Sequence, residues 1–150
     1  MSQKNDQANF CTDGHNALLQ KDYRRAEDLL LKALQLKDYD IFYYHLTLSS
    51  LIKLYFKMRD TWEGSYDKCL HYCHEDLRVI FSESFLNSDW NKLSLPRCIA
   101  INRLAINYEN TGQYEEAIAL CENAISLGFT DNTKGGYQRR IEKIKKKMGT

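Results

Sequence analysis

The sequence predicts an all-α protein assembled from helical hairpins, and three observations carry that expectation. A Tyr-x2-small-x6 spacing occurs three times, at Tyr23/Ala26/Ala33, Tyr66/Cys69/Asp76 and Tyr114/Ala117/Ala124. Apolar residues recur at intervals of three and four, the period of one helix face. A single proline, Pro96, and seven glycines leave few places where a helix must stop, which favours long helices and short turns.

Taken in order, the first hairpin is expected over residues 7–40, with Phe10, Gly14, Ala17, Tyr23, Ala26, Leu30 and Ala33 as its packing positions. The second, over 41–81, uses Leu48, Leu51, Tyr55, Tyr66, Cys69 and Cys73, and its helices are joined by the longer connection Arg59–Ser65 containing Trp62. Ser82–Leu95 reads as a long linker carrying Trp90. The third hairpin, over 98–131, is the clearest: Ile101, Leu104, Ala105 and Tyr108 form a stripe, Thr111-Gly112-Gln113 turns, and Tyr114 opens the next helix. Gly128 suits the position just past a helix end, and Thr133 suits the cap of a terminal helix, 133–148, with Tyr137, Ile141, Ile144 and Met148 on one face. Antiparallel helices approach closely only where Ala or Gly faces the neighbour, while tyrosines fill the wider gaps.

The run Leu104-Ala105-x2-Tyr108…Gly112-x-Tyr114-x2-Ala117-x3-Cys121-x2-Ala124 resembles the tetratricopeptide repeat, whose unit is about 34 residues. Successive motif tyrosines lie 43 and 48 residues apart here, and Asp13 stands where the family places Leu, so the chain departs from the pattern in its connections and in its first unit. The tail Asp131-x-Thr133-Lys134-Gly135-Gly136-Tyr137 is similar to that of small bacterial repeat proteins; the resemblance is to small single-domain bacterial or phage members. It implies one domain over 1–150, a solenoid of about three hairpins whose last apolar face is covered by the capping helix. It also implies a concave groove lined by the first helix of each hairpin: Cys11 and His15, then Ser49, Lys53 and Lys57, then Asn102, Ile106 and Glu109, with Arg103 at the edge. Lys and Asn at such positions resemble part of the clamp with which some members hold a terminal carboxylate.

At 150 residues, with 43% hydrophobic and 27% charged, the chain is long enough to enclose a core without disulfide or metal support. The most apolar stretch, Ile41–Leu54, is interrupted by His45, Thr47, Ser49, Ser50 and Lys53, so no membrane span is expected. The polar start, Met1–Gln7, leads into no apolar signal region, and a cytoplasmic location follows as the expectation. The five cysteines, Cys11, Cys69, Cys73, Cys98 and Cys121, fall within helical patterns and read as buried thiols. Cys69, Cys73 and His74 invite a zinc reading, but His71 faces elsewhere and no second Cys/His pair lies near, so no metal or cofactor is expected.

Catalytic signatures such as His-Glu-x2-His, Gly-x-Ser-x-Gly or a complete phosphate loop are missing, and Thr133-Lys134-Gly135-Gly136 is only an echo of the last. The expected function is therefore a non-catalytic adaptor for a protein or peptide, with the loop aromatics Trp62 and Trp90 as contact candidates. From Lys134 onward seven basic residues face Glu142 alone, a local charge of +6 in a chain whose total is +1, so the rest carries −5. That asymmetry keeps open a nucleic-acid accessory role through Arg139, Arg140, Lys143 and Lys146. A regulator sensing a small signalling ligand or peptide is the third alternative. The first hairpin has no preceding cap, which leaves a second copy, in a homodimer, as one candidate cover for its open face.

Overall fold

The computed structural model describes residues 3–36, 38, 40–87 and 98–149. The chain forms two compact units, Met1–Ser88 and Asp89–Thr150. Among the described residues there are eight helices and no β-strand, so the protein is all-α. No described helix is long and apolar enough to cross a membrane.

The first unit contains α1 (Gln3–Leu19), α2 (Tyr23–Leu34), α3 (Ile41–Lys57), α4 (Ser65–Ile80) and the short α5 (Glu83–Leu86). α1 packs along α2 and α3 along α4, while α3 also lies against both α1 and α2. α1 and α2 approach closely at Gly14, where a Cβ would stand 2.7 Å from Leu30 Cγ. Leu30 can therefore be sealed between the helices at 0% exposure, a burial that contributes about 1.5–3 kcal/mol. Asp22 caps α2 through Arg25 N–H, and Asp40 caps α3 by accepting from Phe42 N–H at 2.8 Å and Tyr43 N–H at 3.3 Å.

The long connection between α3 and α4 is pinned rather than loose, because the buried Ser65 hydroxyl donates to the Tyr55 carbonyl at 2.6 Å. The stretch expected as a linker from Ser82 begins instead with α5. Ser82 caps that helix through Phe85 N–H, and Phe85 is buried edge-on against His45. The expected linker residue Trp90 lies outside the described residues.

The second unit contains α6 (Ile99–Asn110), α7 (Tyr114–Ser126) and α8 (Gly136–Lys147). α7 packs on both α6 and α8. α6 and α7 end alike: Gly112 and Gly128 take positive φ, and the residues after them, Gln113 and Phe129, donate back to Tyr108 and Ala124. This closes carbonyls that the helix leaves open. α8 starts at Gly136, three residues later than the sequence suggests, and Thr133 does not cap it. Asp131 captures both the Thr133 N–H, at 3.0 Å, and its hydroxyl, at 2.6 Å, so that hydroxyl is engaged before the helix begins. Tyr137, Ile141 and Ile144 form the buried face of α8, while Met148, expected on the same face, is exposed just past the helix end.

Candidate functional site

In the first unit, α1 and α3 enclose a cavity of about 240 Å³. α1 contributes Cys11, Thr12 and His15 over one turn. α3 contributes Tyr43, Leu46, Ser50 and Lys53, spaced three, four and three apart on one helix face, with Ser49 beside them. Four of the expected groove residues, Cys11, His15, Ser49 and Lys53, are thus brought together. Lys57 lies one turn beyond, exposed and outside the cavity lining. Tyr43, Leu46 and Ser50 were missed in the sequence reading, although their spacing to Lys53 is the helical signal that could have found them.

The cavity is polar at one side. The Ser50 hydroxyl and His15 Nδ1 lie 3.4 Å apart. Cys11 and His15, one turn apart, are the residue types a thiol nucleophile and its base would need, but burial pushes the Cys11 thiol above its ordinary value despite a hydrogen bond with Thr47. Reactive cysteines require the opposite shift. Among the described residues neither Lys53 nor Lys57 is paired with a carboxylate.

Trp62, expected to project from its loop toward a partner, turns back onto the hairpin and is half-buried. Its ring meets Tyr55 edge-on, and the Arg24 guanidinium sits 3.8 Å above it. The cause is an anchored neighbour: Tyr55 is held by donating to Glu27 at 2.8 Å and by stacking on Tyr72, which offers Trp62 a rigid apolar wall. Cys69 and Cys73 are buried in the core, whereas His71 and His74 are exposed, so α4 divides the residues of the zinc reading between its two faces. All five cysteines are buried thiols.

The remaining expected groove residues belong to the second unit. Asn102 accepts a hydrogen bond from the buried Tyr137 hydroxyl at 2.6 Å and so ties α6 to α8. Arg103 and Ile106 are half-buried. Glu109 accepts from Lys147 at 2.5 Å, which raises the lysine above its ordinary value. Asn102 and Glu109 therefore hold α8 in place, roles that only the fold reveals.

The same unit has a second cavity, of about 260 Å³, between the turn preceding α8 and the helix itself. Lys134, Arg139, Arg140 and Lys143 line it, together with Glu109 and Asp131. Burial opposes the charge of Asp131, yet the Thr133 hydrogen bonds and Arg140 outweigh it and hold the carboxyl below its usual range. Arg140 approaches Asp131 at 3.7 Å. Of the four cations expected to contact nucleic acid, three reach this cavity, while Lys146 is exposed elsewhere on α8. Compared with protein-family models, with curated proteins and with solved structures, the chain matches none.

Proposed function

We propose that the protein is a non-catalytic, tetratricopeptide-type adaptor that binds a peptide against the α1–α3 face of its first unit. The observation that carries this reading is the convergence of His15, Ser49 and Lys53 over the apolar walls of Tyr43 and Leu46. Its volume of about 240 Å³ is below the ~300–1,000 Å³ of sites that engulf a whole small molecule, and suits one anchoring side chain of an extended segment. Lys53 and Lys57, one turn apart and without acidic partners among the described residues, favour an acidic residue or a terminal carboxylate beside that anchor.

The packing of α3 on both α1 and α2, and the close approach at Gly14, support the repeat reading, since each hairpin of such a stack must cover its predecessor. The raised Cys11 thiol supports a binding role over acyl transfer. Five buried thiols agree with a reducing, cytoplasmic setting. Affinity capture on the intact chain, followed by mass spectrometry, is expected to recover partners that a Lys53→Glu, Lys57→Glu double variant retains about tenfold less well, a loss near 1.4 kcal/mol. Unchanged capture of every partner by the double variant would reject the site.

A further inference from the structure

The second cavity is distinct from the peptide face and has its own chemistry. Four cations against two carboxylates line about 260 Å³, and both carboxylates are already engaged. Glu109 accepts from Lys147, and Asp131 accepts from Thr133 and faces Arg140. Among the described residues no carboxylate is paired with Lys134, Arg139 or Lys143. Arg139 and Lys143 stand one turn apart on α8, and Lys134 enters from the turn; Arg139 also donates to the Lys134 backbone carbonyl at 3.4 Å, which holds the guanidinium against that turn. Arg140 is incompletely satisfied: its Nε–H is shielded from solvent and meets no acceptor among the described residues.

Uncompensated cations gathered in a concavity repel one another unless an anion joins them. A phosphate group, with its several acceptor oxygens, matches guanidinium and ammonium donors that approach from different directions. We propose that this cavity binds the phosphate group of a small phosphomonoester, with Lys134, Arg139 and Lys143 as the accessible donors. Among the described residues the lining contains no aromatic side chain on which a nucleobase could stack, and the volume of about 260 Å³ lies below the ~300–1,000 Å³ of sites for drug-sized ligands, the scale of a small phosphomonoester. Both observations favour a small ligand over a polynucleotide. Of Thr133-Lys134-Gly135-Gly136, only an echo of a phosphate loop in sequence, Thr133, Lys134 and Gly136 form part of the wall where the turn leads into a basic helix.

Calorimetric titration of the full chain at constant ionic strength, with inorganic phosphate and with glycerol 3-phosphate, tests the assignment. Saturable one-site binding is expected for at least one of them, tighter for the ester if a substituent also makes contact, and absent for chloride. Arg139→Ala with Lys143→Ala should weaken it on the order of tenfold or more. Both side chains are exposed, so circular dichroism is expected to show the helices intact. Lys146→Ala, outside the lining, should leave the affinity unchanged. The proposal is overturned if neither phosphate compound binds, if the double variant binds as tightly as the parent, or if Lys146→Ala weakens binding equally. Retention of single-stranded RNA without any binding of the two phosphate compounds would likewise overturn it and assign these cations to a polynucleotide backbone.

Discussion

Lys21 ends α1 in a conformation usually given to glycine, with φ of 65°. Its N–H donates to Leu18 and the following Asp22 N–H to Ala17, the same closure that Gly112 and Gly128 provide for α6 and α7. A side chain in this region costs roughly 1–2 kcal/mol. Lys21→Gly is expected to raise stability by about 0.5 kcal/mol, since glycine's extra freedom in the unfolded chain offsets part of the relief. Urea denaturation checks this, and an unchanged or lower midpoint would show that the lysine is not strained. Asp76 presents the reverse case of an unusual residue well accommodated. It occupies the position held by Ala33 and Ala124 in the other hairpins, is 0% exposed, and survives there because His45 Nδ1 lies 2.6 Å from its carboxylate.

Helix pairing in the first unit depends on one missing side chain. A methyl group on Gly14 would meet Leu30 Cγ at 2.7 Å, Cδ2 at 2.8 Å and the Leu30 nitrogen at 3.2 Å, and the last of these cannot rotate away. Overpacking of this kind costs about 1–3 kcal/mol, against roughly 1 kcal/mol that alanine regains inside a helix. Gly14→Ala should therefore lower the unfolding free energy by about 1 kcal/mol. In a Leu30→Ala background the same substitution should become neutral or stabilising, because the colliding side chain is gone. Equal losses in both backgrounds would place the cost elsewhere.

Alkaline pH acts on the molecule as a whole. Burial pushes the Cys121 thiol up to about 11, with Arg140 opposing, and burial likewise raises Cys11 and the phenols of Tyr44, Tyr55, Tyr72 and Tyr137. A folded-state value above the unfolded one means that the native fold favours the protonated form. The resulting stability is complete below the unfolded values, 9.0 for the thiols and 10.0 for the phenols, and is lost as pH rises through the folded values. The melting temperature is expected to fall from pH 9 upward, and Cys121→Ala to reduce that slope between pH 9 and 11 while the tyrosines sustain the rest. A flat profile across that interval would contradict the burial of these groups.

The sequence by itself determined what depends on near neighbours: where helices run, where Gly112 and Gly128 end them, and which cysteines and alanines face inward. Those features follow from backbone preference and from a periodicity of three to four residues, both local. The resemblance to the tetratricopeptide pattern, rather than spacing alone, pointed to His15, Ser49 and Lys53 as groove positions, and α1 and α3 bring these three to one cavity. Only the tertiary structure decided that Trp62 folds back onto Tyr55, that Asn102 and Glu109 fasten α8, and that Asp131 captures Thr133 and engages Arg140 beside a cluster of cations. The contacts of Asn102 with Tyr137, of Glu109 with Lys147 and of Arg24 with Trp62 join residues far apart in sequence, while Trp62 with Tyr55 and Arg140 with Asp131 bridge a helix end and its adjoining turn; in each case the geometry is set by the packing of whole helices. Asp131 and Thr133 are near neighbours, but the turn that joins them is shaped by the helices on either side of it.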